Sequence, residues 1–258
     1  MPKLAIIGLG NMGKAIADGL LLSENFTKND IIFGTDDATN IQAVKSAKTV
    51  ILAVKPDIIP LVINVIKDYL NPDHLIISIA ARVKISDIKK FLGAGNNHRN
   101  GKKHIPIVRV MPNICAAFGQ SMSCWLKSRE VTAAQGKLVK LILNSIGKET
   151  ELKDEKLFGL ITMLAGSGPA FYFYLAEQFE KFAKQNGLKA EDSEKIIKQT
   201  FLGSAMLLDK SNKSASELRK NVTSKKGTTE AALTVLKKNK FDKIFIKGLK
   251  AGHKRASS

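Results

Sequence analysis

Six residues near the start of the chain, Gly8-Leu9-Gly10-Asn11-Met12-Gly13, have the spacing of a turn that cradles phosphate. They follow a short apolar run, Lys3–Ile7, and open a stretch whose apolar positions (Met12, Ile16, Leu20) recur at helical spacing. G-x-G-x-x-G has physical meaning only in that context. The first glycine makes the tight turn, the second lets the backbone approach a pyrophosphate, and the third allows close helix–strand packing with amide dipoles facing the anion. The pattern points to a dinucleotide held by Gly8, Gly10, Asn11, Met12 and Gly13. An acid about 20 positions on, at the end of the second strand, normally completes such a site by holding a ribose hydroxyl. Here Phe33 is followed by Gly34-Thr35-Asp36-Asp37, so the aspartates fall past the strand end. Turn or helix-cap duty is an equally physical use for them, and they do not select a cofactor by themselves.

Two further strand ends face the same crevice, because ligands in open α/β sheets bind outside the carboxyl ends of strands. These are Ala53-Val54-Lys55-Pro56 and Val110-Met111-Pro112-Asn113, whose lysine and amide suit either cofactor contact or ordinary loop chemistry. Farther on, Val222-Thr223-Ser224-Lys225-Lys226-Gly227-Thr228-Thr229 precedes a helical pattern. Hydroxyls and a glycine at a helix start leave backbone N–H groups pointing outward. They serve a carboxylate ligand or a plain Ser/Thr cap. His74, His98, His104 and His253 have no ligand spacing, so neither a metal site nor a histidine triad is expected.

These residues need elements to hold them. The first half alternates apolar runs with helical patterns: strands over Lys3–Ile7, Ile31–Phe33, Thr49–Val54, Leu75–Ile79 and Ile107–Val110, and helices over Met12–Leu22, Ile58–Tyr69 and Ile85–Leu92. Short apolar strands separated by helices mean βαβ units and a parallel sheet covered on both faces. The polar, glycine-rich stretch 93–103 reads as a surface loop. After about Ser145 strand signals stop. Asp154–Asn186 is one long helical pattern with a kink expected at Gly166–Pro169, and Gly187 fits the position that ends it. Helices over Glu191–Leu208, Ser214–Asn221, Thr228–Lys238 and Phe241–Lys254 follow. The expected fold class is α/β then all-α, divided into residues 1–150, which bind the dinucleotide, and residues 151–258, a helical domain.

Composition narrows the class. Among 258 residues, 44% are hydrophobic, enough for real cores, and 41 basic residues against 23 acidic give a formal charge of +18. Such a field suits nucleic acid, an anionic membrane surface or a phosphorylated small molecule. Lysine supplies most of the charge, whereas base readout and bidentate phosphate clamps favour arginine, so nucleic acid is not expected. The apolar runs are shorter than the roughly 20 residues of a membrane helix, no signal peptide is read, and Cys115 and Cys124 make no disulfide framework. The expectation is a cytoplasmic protein without a membrane partner.

Taken in order, several segments resemble pyrroline-5-carboxylate reductases over nearly the whole chain: Ile6–Ile16, Leu52–Pro56, Ile77–Ala81, Arg109–Asn113, Ala165–Ala170, Glu217–Arg219, Val222–Ser224 and Gly227–Thr229. The resemblance implies a Rossmann domain followed by a helical domain through which subunits dimerise, with larger rings in some members. It implies reduction of 1-pyrroline-5-carboxylate to L-proline by hydride from NADPH or NADH. Cofactor contacts would then include the glycine turn, Asn40 at the adenosine, Ala53, Val54, Lys55, Pro56, Ala80 and Asn113. Ser224, Gly227, Thr228 and Thr229 would bind the substrate carboxylate, with the Thr229 hydroxyl at the ring nitrogen as the catalytic contact. The loop and the cofactor can come from different subunits.

The chain departs from that pattern at four places. About fifteen residues separate Phe33 from Thr49, so a stretch on the order of one helix and its flanks looks missing. Lys225-Lys226-Gly227 replaces Pro-Gly-Gly, Arg82 replaces a glycine after Ala80-Ala81, and Cys115 replaces a proline. Two alternatives remain in view. A β-hydroxyacid dehydrogenase shares the plan but needs a lysine that Gly168–Gln178 lacks. A non-catalytic nucleotide-binding homologue is the other.

Overall fold

The computed structural model describes residues 3–93 and 104–257. His98 and the expected surface loop after Gly93 lie outside the described residues. Seven strands form one sheet: β1 (Leu4–Ile7), β2 (Ile31–Gly34), β3 (Thr49–Leu52), β4 (Leu75–Ser78), β5 (Ile107–Met111), β6 (Ser121–Lys127) and β7 (Gly147–Glu151). Their spatial order is β2-β1-β3-β4-β5-β6-β7. All neighbours are parallel except the antiparallel pair β5 and β6. Ile6 lies beside Phe33 on one side and Ile51 on the other, which sets the register of the central strands.

Helices cover both faces: α1 (Asn11–Leu22), α2 (Asp37–Ser46), α3 (Ile59–Ile66), α4 (Ile85–Phe91) and α5 (Ala133–Ser145). Because successive strand residues point to opposite faces, two cores form. Leu4, Ile6, Ile51 and Ile77 pack with α1 and α5, whereas Ala5, Ile7, Val50 and Ile76 pack with α2, α3 and α4. β1, β3 and β4 are buried along their whole length and nearly all apolar because both of their faces are covered.

Five strands were expected and the described residues hold seven. β6 reads S-M-S-C-W-L-K, and its inward serines, Ser121 and Ser123, are buried and hydrogen-bonded rather than apolar. β7, G-K-E-T-E, is a mostly exposed edge strand with no hydrophobic face to read. Between Phe33 and Thr49 the chain holds the ten-residue helix α2, and the crossover runs directly from β2, at the sheet edge, to β3 beside β1.

Helices then follow: α6 (Phe158–Ile161), α7 (Gly168–Gln185), α8 (Ala190–Lys210), α9 (Ala215–Asn221), α10 (Thr228–Lys238) and α11 (Phe241–Ser257). The irregularity expected at Gly166–Pro169 begins a turn earlier. Residues Thr162–Gly166 form a π-helix, closed by the Ser167 N–H donating to the Thr162 carbonyl at 2.8 Å. Pro169 instead sits in the first turn of α7, where its missing N–H costs nothing. Gly187 ends α7 with φ +80°. Residues 155–185 are, by length and composition alone, helical and apolar enough to cross a membrane, which the separate apolar runs do not show.

The chain comprises two compact units: Met1–Pro169 with His253–Ser258, and Ala170–Gly252. The second is built from helices with few buried side chains. Ser193 and Ile197 are buried in α8, while α9, α10 and α11 bury none. Edge-on ring pairs, Phe171 with Phe245 and Phe179 with Phe201, hold these helices together.

Candidate active site

In the first unit the glycine turn has the stereochemistry its sequence demands. Gly8 has φ +100°, and its N–H donates to the Gly34 carbonyl at 2.8 Å, joining the ends of β1 and β2. A Cβ there would crowd Val54 and the Ala53 carbonyl, and one at Gly13 would collide with the Gly8 carbonyl oxygen. A Cβ at Gly10 meets nothing within 4 Å, so the middle glycine faces open space. Gly10 caps α1 with an extended backbone and no side-chain hydrogen bond. The first amides of α1 therefore lack intrahelical acceptors, as a pyrophosphate cradle requires.

Beside this turn lies a pocket of about 460 Å³, lined among others by Gly8, Gly34, Thr35, Asp36, Asp37 and Asn40. Ile58, Leu61, Val62 and Val65 form its apolar wall, together with Val54. Asn40 is 4% exposed, and its Oδ1 has no hydrogen-bond partner. A buried unsatisfied acceptor costs about 1–3 kcal/mol unless something meets it. Glycine turn, open approach and orphaned acceptor together fit a dinucleotide whose adenosine end lies in this pocket. Asp36 caps α2, accepting from the Thr39 N–H at 2.9 Å, and that backbone bond foremost holds its carboxyl below the usual carboxylate range.

The remaining expected cofactor residues are placed as follows. The Ala53 N–H donates to the Ile7 carbonyl at 2.8 Å, Val54 lines the pocket, and Lys55 is exposed, with its carbonyl accepting from the Ile58 N–H in the turn before α3. Pro56, half-buried, lies in that same turn. Ala80 is buried at the end of β4, two residues before Arg82. Asn113 is buried and engaged internally. Its Oδ1 accepts from the Cys115 N–H at 3.0 Å, and its Nδ2 donates to the Ala165 carbonyl at 3.1 Å, tying the end of β5 to the π-helix. That double engagement is invisible in sequence, because the partner lies 52 residues away. Burial pushes the thiols of Cys115 and Cys124 upward, which keeps them protonated and unreactive. Among the described residues no group of His, Cys, Asp and Glu could hold a metal ion.

In the second unit the Ser224–Gly227 turn leads into α10. The Gly227 N–H donates to the Ser224 carbonyl at 3.0 Å, and Gly227 caps the helix with an extended backbone. A Cβ at Gly227 would collide with the Ser224 hydroxyl. The helix start leaves the Thr228 and Thr229 N–H groups without intrahelical acceptors. Thr229 is half-buried and Ser224 exposed. The sequence does not reveal Glu230, whose carboxylate folds back to accept the Lys226 N–H at 2.7 Å. Lys226 itself is left-handed, φ 59°, as is Arg82, φ 64°.

A family model described as pyrroline-5-carboxylate reductase dimerisation matches residues 155–258, and one described as NADP oxidoreductase, coenzyme F420-dependent, matches residues 35–82. A pyrroline-5-carboxylate reductase of Pseudomonas aeruginosa is 31% identical over 271 aligned positions, covering 99% of this chain and 96% of that protein. The crystal structure of Plasmodium falciparum pyrroline carboxylate reductase with NADP bound superposes with a TM-score of 0.87 at 29% identity, covering 99% and 97% of the two chains. The enzyme of Coxiella burnetii gives 0.83 at 32% identity with the same coverage. With that identity over its full length, the chain belongs to the pyrroline-5-carboxylate reductase family.

Proposed function

We propose that this chain reduces 1-pyrroline-5-carboxylate to L-proline with NADPH or NADH, acting as a homodimer in the cytoplasm. The observation that carries the reading is the glycine turn, in which Gly13 is sterically obligatory while Gly10 opens toward an approaching phosphate. Family membership supplies the substrate. When bound, the nicotinamide would supply hydride to the carbon of the cyclic C=N bond, whose nitrogen enters already protonated as the iminium, so that the product is the secondary amine.

The chain's own part is binding and orientation. The first amides of α1 hold the pyrophosphate, and Asn40 meets the adenosine. The N–H groups of Thr228 and Thr229, with the Ser224–Gly227 turn, hold the substrate carboxylate at the start of α10. Lys225 and Lys226 add positive charge there. The Thr229 hydroxyl hydrogen-bonds the ring nitrogen and fixes the face the hydride reaches, so catalysis rests on positioning rather than on a titrating acid–base pair. The apolar helices of the second unit support the homodimer, and two unbridged thiols suit a reducing compartment. The lysine-rich surface serves solubility and draws an anionic cofactor and substrate rather than nucleic acid or membrane.

The test is product identification. Incubation with racemic pyrroline-5-carboxylate and reduced cofactor should yield L-proline alone. Formation of no proline, or of D-proline alongside L-proline, would contradict the assignment of substrate and of a carboxylate site that selects the L-imine.

A further inference from the structure

We infer that the adenosine end of the cofactor site accepts a free ribose diol and rejects a 2′-phosphate, which makes NADH the reductant this chain prefers. The inference rests on the reading that the pocket beside Gly8 holds a dinucleotide. Its apolar wall, from α3, suits the flat face of adenine, and its polar rim lies at the end of β2, where dinucleotide folds place the ribose. That rim offers acceptors, the exposed carboxylates of Asp36 and Asp37, with the buried Asn40 behind them.

Ribose hydroxyls donate, so a diol satisfies them. A 2′-phosphate brings further acceptors and negative charge, and no lysine, arginine or histidine is among the described residues lining the pocket. The N-terminus of α2 is largely occupied by its own cap. Its amide at Thr39 is already taken by the Asp36 carboxylate at 2.9 Å, and the Thr39 hydroxyl accepts from the Thr35 and Asp36 N–H groups. The direct crossover from β2 to α2 is what brings these carboxylates to the pocket. Chain inserted after Gly34 would carry them away from it. The +18 charge of the whole molecule attracts both cofactors, but that field is screened beyond about 8 Å, so the two nearby carboxylates decide between them.

Calorimetric titration of the full chain with NADH and with NADPH, in the absence of substrate, tests this. NADH should bind at least tenfold more tightly. Asp36→Asn together with Asp37→Asn should close that ratio at least fivefold, mainly by strengthening NADPH, because asparagine retains the helix cap while losing the charge. Asp37→Asn alone, which leaves the cap residue intact, should move the ratio the same way and covers the case in which the double variant misfolds. Equal or tighter NADPH binding, a ratio unmoved by both variants, or binding of neither cofactor to the folded protein overturns the inference. Tight NADH binding without turnover of pyrroline-5-carboxylate would count for it, and against the function proposed above.

Discussion

Arg82 and Lys226 hold left-handed backbone, φ 64° and 59°, at two positions where the resemblance to reductases places glycine. Side chains with a Cβ strain that region by about 1–2 kcal/mol, while glycine loses more chain entropy on folding. Arg82→Gly and Lys226→Gly should therefore each stabilise the protein by about 0.5–1 kcal/mol in denaturant titrations. Unchanged or lowered stability would show that the arginine or lysine side chain compensates for the strain. The glycine turn allows a sharper contrast. Gly13→Ala should destabilise the fold by about 2 kcal/mol or more, because the new methyl collides with the Gly8 carbonyl oxygen. Gly10→Ala should leave stability within about 0.5 kcal/mol and still weaken cofactor binding, because its methyl projects only into the ligand's space. The turn was legible in sequence because phosphate binding dictates residue type at fixed spacing. Glu230 and the internal duties of Asn113 were not, since each depends on a carbonyl or amide that folding brings near.

At the scale of elements, strands buried on both faces announced themselves as apolar runs, and β1, β3, β4 and β5 were readable for that reason, with the short apolar edge strand β2 beside them. β6 opens on hydrogen-bonded serines that interrupt its apolar run, although Cys124, Trp125 and Leu126 are buried, and β7 sits at an edge where polar residues suffice. The missed elements are therefore those in which polar residues interrupt or replace the apolar run. One such polar device ties α4 to the turn after β6. Lys89 Nζ lies 2.8 and 3.0 Å from the two Glu130 carboxylate oxygens. Burial works against ionisation of Glu130, but the hydrogen bonds from Lys89 and Ser128 outweigh it and hold the carboxyl at about 2, against 4.5 when unpaired. The unfolded chain thus takes up this proton first. Stability from the pair is present above pH 4.5 and is lost as pH falls toward 2. Glu130→Gln should flatten that part of the stability profile. An unchanged acid slope in the variant would show that other carboxylates set it.

The whole molecule is asymmetric in how it buries itself. The first unit has two filled cores, whereas the second exposes large apolar side chains, with Phe182 66% and Ile244 64% exposed, and its last two helices before the C-terminus bury none. In the proposed homodimer a second copy would cover those faces, as exposed apolar side chains on this scale favour. The thermal midpoint should then rise with protein concentration, since dimer formation adds stability by mass action. A concentration-independent midpoint from a monomeric species would contradict it. The most direct test of the central claim is the rate of NADH or NADPH oxidation by the dimer on adding pyrroline-5-carboxylate. Thr229→Ala should be compared under the same conditions. Substrate-dependent oxidation is predicted, with turnover falling about 10–100-fold in a variant that still dimerises. No oxidation of either cofactor by a folded dimer would contradict the reductase assignment.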